Sequence, residues 1–327
     1  MVGYEKDDIL SPNQKLIAGC VSGCVTRFIT QPLDIIKLRT QLQKKPATGN
    51  RRFFPTTRAI LKEEGVTAFW HGHNLGQLHS ILAVSSQFYV YELTTKYVMN
   101  TIHPDNKGFF LFFCGIFAGC CSATLVIPIE VIRVRQMLVK AQYGGILSGA
   151  RRVYASGGIL AFYEGLGASL LQMGPSCGIS FGVFKFVQPL ILEYVAPKCQ
   201  GEHCVHSTSG NVYKPEYVLL ASTAAGSLAG FLAKTFTYPF DLAKRRLQIS
   251  SHVEDPSVKV PKTSKDLVRC HNLFDCLRLT LKKEGFLGLY RGWKVTVYKA
   301  QMTSVIAFST YEMICHALRD HLIPKIP

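Results

Sequence analysis

The stretch Pro32-Leu-Asp-Ile-Ile-Lys-Leu-Arg39 occurs three times in this chain. It returns as Pro128-Ile-Glu-Val-Ile-Arg-Val-Arg135 and as Pro239-Phe-Asp-Leu-Ala-Lys-Arg-Arg246. Proline, acid, base and base keep the same offsets in every copy. The prolines stand 96 and 111 positions apart, so the period is roughly 100 residues, well beyond the ~20–50 of the common solenoids. Two further patterns share this period. Gly19 and Gly23, Gly115 and Gly119, and Gly226 and Gly230 are pairs spaced four apart, each starting thirteen residues before a motif proline. Such pairs lie on one helix face and predict close approach of a neighbouring helix in lipid. After each proline motif, a glycine is followed by an aromatic five residues on and a second glycine two beyond. These are Gly65, Trp70 and Gly72, then Gly158, Tyr163 and Gly165, then Gly285, Tyr290 and Gly292.

The repeats are apolar. Of the 327 residues 48% are hydrophobic and only 18% are charged, and the apolar ones gather into blocks such as Leu16–Leu38 and Phe109–Leu138. Blocks beyond about 18 residues predict membrane spans. A second block follows in each repeat, at Leu75–Val98, Ala168–Val195 and Val295–Leu318. Gln, Ser, Thr and His are mixed into it, as expected of helices facing an aqueous cavity. Short amphipathic segments, Arg58–Glu64 for example, predict helices lying on the membrane surface. The expected fold is an all-α membrane protein. Six transmembrane helices in three tandem repeats, about 12–103, 108–200 and 214–320, would form one domain over 1–327, with three short surface helices between them.

The net charge of +16 admits nucleic acid, a membrane surface or an anionic ligand as partner. No zinc-finger spacing, basic zipper or aromatic RNP stretch accompanies it, so nucleic acid is not expected. The three loops after the proline motifs hold about twice as many Lys and Arg as the remaining loops and tails, which predicts that they face the inner compartment. An even number of spans then puts both termini on the other side. Glu5, Asp7 and Asp8 argue against a transit peptide, and no basic n-region precedes the first block. Targeting is expected to be internal, without a cleavable presequence.

Most cysteines lie in apolar segments, where they act as small hydrophobes. Cys199, His203, Cys204 and His206 form a polar cluster that could hold a soft metal, but their spacing fits no standard zinc pattern. No metal site and no cofactor are expected. Gly174-Pro-Ser-Cys-Gly178 spells a hydrolase nucleophile elbow. It lies inside an apolar block without the strand that elbow needs, so Pro175 is read as a helix kink and no catalytic residue is expected.

Threefold symmetry would gather Asp34, Glu130 and Asp241 into a ring, with Lys37, Arg133 and Lys244 one turn away on the same faces. A lone charge at membrane depth costs about 2.5–3.5 kcal/mol or more. The six must therefore pair, and their natural partners lie on adjacent helices, as a static clasp or as a gate whose pairs break and reform. Five residues before the motif prolines stand Arg27, Ala123 and Lys234. Two mid-membrane cations at equivalent positions predict an anion site, and Arg and Lys suit phosphate. A small phosphorylated or diphosphorylated anion is the expected substrate. A non-transporting scaffold would have no use for these cations.

These motifs closely resemble the signature of the mitochondrial carrier family over essentially the whole chain. The resemblance implies a transporter, not an enzyme, in the mitochondrial inner membrane. Its six tilted helices would surround a central cavity, with three short helices on the matrix side, and the termini would face the intermembrane space. It implies a matrix gate of Asp34–Arg133, Glu130–Lys244 and Asp241–Lys37, braced by Gln41 and Gln248, with Met137 in the third brace position. Family contact points fall on His79, Gln172 with Met173, and Lys299, which join Arg27 and Lys234 as expected substrate-binding residues. A cytosolic gate is implied at Tyr91, Glu92, Lys185, Tyr311 and Glu312. Its expected bases are Thr95, Gln188 and Cys315, so three ion pairs cannot form there, and Lys185 is expected to bridge Glu92 and Glu312. His71, Glu164 and Gly157 depart from the family pattern and predict local weakening. Cardiolipin binding and a monomeric state are implied too. Within the family, Met1-Val-Gly-Tyr, Val25-Thr-Arg27, Ala233–Leu242, Lys299 and Phe308–Glu312 are most similar to animal carriers of a diphosphate-tailed cofactor, which implies its exchange for nucleotides. Carriers of coenzyme A, adenine nucleotides or ATP-Mg share much of the same pattern.

Overall fold

The computed structural model describes residues 12–42, 53–101, 107–138, 145–195, 205–206, 212–213, 215–253, 270 and 272–322. Its six long helices are α1 (Pro12–Leu42), α3 (His73–Thr101), α4 (Lys107–Leu138), α6 (Leu166–Val195), α7 (Pro215–Val253) and α9 (Trp293–Leu322). Three short helices, α2 (Phe53–Glu64), α5 (Ile146–Gly157) and α8 (Leu273–Glu284), separate the members of each pair. Beyond helix, the described residues include only an antiparallel ladder of Val205–His206 with Val212–Tyr213. Cys199, His203, Cys204 and the stretch Met1–Asp8 lie outside the described residues, as does the His206 side chain.

At about 1.5 Å per residue, helices of 29 to 39 residues run roughly 44–58 Å. That exceeds the ~30 Å hydrocarbon core of a bilayer. Among the described residues, Phe109–Leu138 and Ile159–Tyr194 are the two stretches apolar enough throughout to cross a bilayer by composition alone, with mean hydropathies of 2.3 and 1.3. The other helices are diluted by polar residues on their inward faces, while Phe28, Phe88, Phe117, Leu125 and Val305 are exposed on the outside. Apolar surface on this scale marks a lipid-facing or binding surface rather than an ordinary soluble exterior.

The second helix of each repeat packs chiefly against the first helix of the next. α3 lies on α4, α6 on α7, and α9 returns to α1, closing a ring of six. Small hydroxyls stitch these seams. Ser22 donates to the Ala307 carbonyl at 2.8 Å, Ser122 to the Ala83 carbonyl at 2.8 Å, and Gln188 to Ser222 at 2.8 Å. The glycine pairs serve this packing only in part. A Cβ on Gly19, Gly23 or Gly230 would meet nothing within 4 Å, and one on Gly119 would meet the Met173 side chain rather than a backbone. Gly115 and Gly226 stand opposite Tyr91 and Phe184 of the adjoining helices, at 4.0 and 3.9 Å from a Cβ, so half of the pairs' glycines have a neighbouring helix's side chain over them.

Pro32, Pro128 and Pro239 all lie inside long helices. A helical proline frees the carbonyl four residues before it. The Phe28 carbonyl, freed by Pro32, accepts from the Trp70 indole at 3.2 Å. Trp293 reaches the same register in repeat three, donating to Thr235 Oγ1 at 3.2 Å. The largest apolar core lies at this end of the ring, where Ile35, Leu38 and Leu42 meet Ile60, Phe69, Val134 and Leu138. Gly174–Gly178 is helical, within α6, so the hydrolase elbow is absent.

Candidate functional site

Each short helix leads through one 3-10 turn into a glycine with positive φ: Gly72 at 73°, Gly165 at 82° and Gly292 at 84°. Glycine is required there twice over. The φ is one that side chains avoid, and a Cβ would press on the neighbouring repeat. On Gly72 it would meet Met137 and the Arg133 carbonyl, on Gly165 Gln248 and the Lys244 carbonyl, and on Gly292 Gln41 and the Lys37 carbonyl, all between 3.1 and 3.6 Å. The motif helix of one repeat thus rests on the turn of another, in a cycle. In repeats one and three the residue before the proline ties the turn inside its own repeat. Gln31 donates to the His71 carbonyl at 3.1 Å and Tyr238 to the Arg291 carbonyl at 2.7 Å.

On this frame the six charged motif residues meet. Lys37 pairs with Asp241 at 2.8 Å, Arg133 with Asp34 at 3.2 Å, and Lys244 with Glu130 at 2.8 Å. Each pair joins two repeats, and together they close one end of the ring. Gln41 donates to Tyr238 Oη at 3.0 Å and lies 3.5 Å from Asp241, while Gln248 accepts from Arg245 at 3.0 Å.

A deeper layer went unassigned in the sequence, although the fourth motif position marks it. Arg39, Arg135 and Arg246 are buried. Arg39 binds Glu64 with both terminal nitrogens, Arg135 reaches Glu164 at 2.8 Å, and Arg246 binds Glu284 at 3.0 and 3.1 Å. Each also touches a carbonyl of another repeat: Arg39 that of Met137, Arg135 that of Gln248, and Arg246 that of Gln41. Here two of the departures from the family pattern, Gly157 and Glu164 of repeat two, meet. Glu64 and Glu284 precede the first turn glycine, whereas repeat two has Gly157 there. Its carboxylate comes instead from Glu164, seven residues later, and the ion pair is kept. Glu164→Ala is expected to cost about 1.5–3 kcal/mol, as for a hydrogen bond to a charged group. Adding Gly157→Glu should restore most of it. Glu64 coexists with Ala68 in repeat one, as the new carboxylate would with Ala161. Thermal unfolding of the detergent-solubilised protein measures both; a double variant no more stable than the single refutes the exchange of positions.

Above the closed end lies a cavity of about 600 Å³. Arg27, Lys37, Arg133, Lys234, Arg245 and Lys299 all line it, with Asp34 the acid among its lining residues. Lys299 also bonds Asp34, and Lys234 lies 4.0 Å from Asp241. Arg27 donates to the Gly76 carbonyl and to Ser80, which fixes its guanidinium at the cavity wall. The structure thus brings Arg27, Lys234 and Lys299 into one space. His79, Gln172 and Met173 are half-buried and are not among the residues lining it.

At the opposite end the expected bridge is absent. Lys185 lies over the Phe181 ring, 4.6 Å from its centroid. Glu92 pairs with Lys96 on its own helix at 2.7 Å, both exposed, and Glu312 is exposed as well. Lys96, one residue past the family position, was the base that sequence reasoning missed. Tyr91 faces Gly115, Tyr311 packs beside Ala18 and Cys315, and Gln188 bonds Ser222. Among the described residues, the ion pairs between repeats lie at the motif end. Among the described residues no group of three or more His, Cys, Asp or Glu could hold a metal ion.

The family model described as "Mitochondrial carrier protein" matches residues 9–101, 107–195 and 215–322. The chain is 33% identical to the mitochondrial thiamine pyrophosphate carriers of Macaca fascicularis and Homo sapiens, over 97% of this chain and 96% of each relative. It is 28% identical to mitochondrial thiamine pyrophosphate carrier 1 of Sclerotinia sclerotiorum, over 94% of this chain and 93% of that one. With three matching repeats around one closed ring, the chain belongs to the mitochondrial carrier family.

Proposed function

We propose that this carrier imports thiamine pyrophosphate across the mitochondrial inner membrane in exchange for nucleotides. One observation carries the reading: a cavity lined by six cations ends on the inter-repeat pair Asp34–Arg133 and on Lys37 of the pair with Asp241. Four of those cations bond gate acids in this conformation, Lys37 at Asp241, Arg133 and Lys299 at Asp34, and Arg245 at Glu130; Arg27 bonds none and Lys234 lies 4.0 Å from Asp241, so these two are the better placed to meet a diphosphate first. Arg offers paired donors to phosphate and Lys a point charge. The relatives named above, carriers of a diphosphate ester, support the choice of cargo.

In this reading Asp34, Glu130, Asp241 and their partners form the matrix gate, braced by Gln41 and Gln248. Arg27, Lys234 and Lys299 hold the diphosphate, and His79, Gln172 and Met173 on the even helices meet the cargo as the cavity narrows. The residues Tyr91, Glu92, Lys185, Tyr311 and Glu312 gather when the cytosolic end closes. The termini face the intermembrane space, the working unit is a monomer, and cardiolipin is its lipid partner.

Exchange in liposomes tests the reading. Purified protein in vesicles loaded with nucleotide is expected to take up external thiamine pyrophosphate. Coenzyme A, ADP and ATP-Mg are offered separately. Uptake of one of these without thiamine pyrophosphate would assign the carrier a different cargo.

A further inference from the structure

Arg245 has no part in the roles above. It stands six residues past Pro239; the same register holds Leu38 in repeat one and Val134 in repeat two, and all three line the cavity. Two aliphatic side chains, both packed into the apolar core under the cavity, and one guanidinium open to it therefore occupy equivalent registers at its floor. The gate does not require the guanidinium. Glu130 already has Lys244 at 2.8 Å, as Asp34 has Arg133 and Asp241 has Lys37.

Arg245 meets Glu130 as a second cation, through Nη1 at 2.8 Å, and the same nitrogen donates to Gln248 at 3.0 Å. Its Nη2 and Nε make no hydrogen bond among the described residues, and the side chain is 22% exposed. A guanidinium edge with two donors on an aqueous cavity suits bidentate phosphate recognition. The doubling extends to the other gate acids, for Asp34 is also met by Lys299 and Asp241 is approached by Lys234. Lys234, Arg245 and Lys299 all come from repeat three.

We propose that Arg245 is a further substrate-binding residue beside Arg27, Lys234 and Lys299, completing with the two lysines a cradle for a diphosphate that has one cation for each gate carboxylate. A bound diphosphate shares these three cations with Asp34, Glu130 and Asp241, so each acid is left to its motif partner and the gate loosens as the cradle fills. The cargo assignment rests on the function proposed above; the anion class rests on the cradle.

Arg245→Leu, which installs the residue of repeat one, is expected to raise KM for thiamine pyrophosphate exchange about tenfold or more, with maximal rate within about twofold. Arg245→Lys should recover part of the loss. A changed maximal rate at unchanged KM would make Arg245 a gate residue only and overturn the proposal. Inorganic pyrophosphate gives a reading independent of transport. It should raise the thermal midpoint of the purified wild-type carrier, and by clearly less that of Arg245→Leu and Arg245→Gln. Equal shifts in all three, or none in the wild type, overturn the cradle. If pyrophosphate discriminates the variants while thiamine pyrophosphate is not exchanged, the cradle stands and only the cargo falls.

Discussion

Glu284→Ala is expected to destabilise the carrier by about 3–5 kcal/mol, the cost of breaking a buried ion pair from one side. Glu284 receives two guanidiniums, Arg246 at 3.0 Å and Arg291 at 2.8 Å, and all three side chains are at most 3% exposed. Removing the carboxylate leaves two buried cations facing one another without it. Arg246 also reaches Gln41 of repeat one, so the damage should pass beyond repeat three. Glu164 is 21% exposed and serves one arginine, which is why its loss should be milder. Thermal unfolding in detergent ranks the two. A Glu284→Ala midpoint above that of Glu164→Ala would show that burial does not set the cost.

Lys37→Asp is expected to reduce exchange on the order of a hundredfold. It would set a second carboxylate where Lys37 now lies 2.8 Å from Asp241, and like charges forced together cost several kcal/mol; each 1.4 kcal/mol is about tenfold. Adding Asp241→Lys reverses the pair and should recover much of the rate. Recovery is expected to be partial, because Lys234 already lies 4.0 Å from Asp241 and would then face another cation. A double variant no better than the single, in vesicles holding equal amounts of inserted protein, would show that the pair is not the functional contact.

The architecture was legible because it is written three times. Proline, acid and base at fixed offsets place a charged ring at one end of three apolar blocks, and the inter-repeat pairing follows from the cost of lone charges in lipid. The short-range chemistry was harder to read. Gly157 and Glu164 are two departures in one repeat, and only the position of Arg135 shows them to be a single exchange. Arg245 was visible as a cation in register with Leu38 and Val134, but its motif neighbours Lys244 and Arg246 obscured it. Of the paired glycines, Gly115, Gly119 and Gly226 have a neighbouring helix's side chain opposite and Gly19, Gly23 and Gly230 do not, since spacing fixes a helix face but not what stands opposite. The cytosolic end was misjudged because Lys185 and Glu92 have nearer partners, Phe181 and Lys96, in this conformation.

Gly72, Gly165 and Gly292 each accept a side chain and a carbonyl from a different repeat. The unit of inheritance in this chain is the repeat of about 100 residues, but the unit of stability is the joint between repeats. An excised repeat would keep its two long helices and its short one. It would lose the surface its glycine rests against, the counter-ions of its gate residues and the carbonyl its second motif base holds. Duplication alone could not have made a working protein of one such segment; closure of the third onto the first was needed.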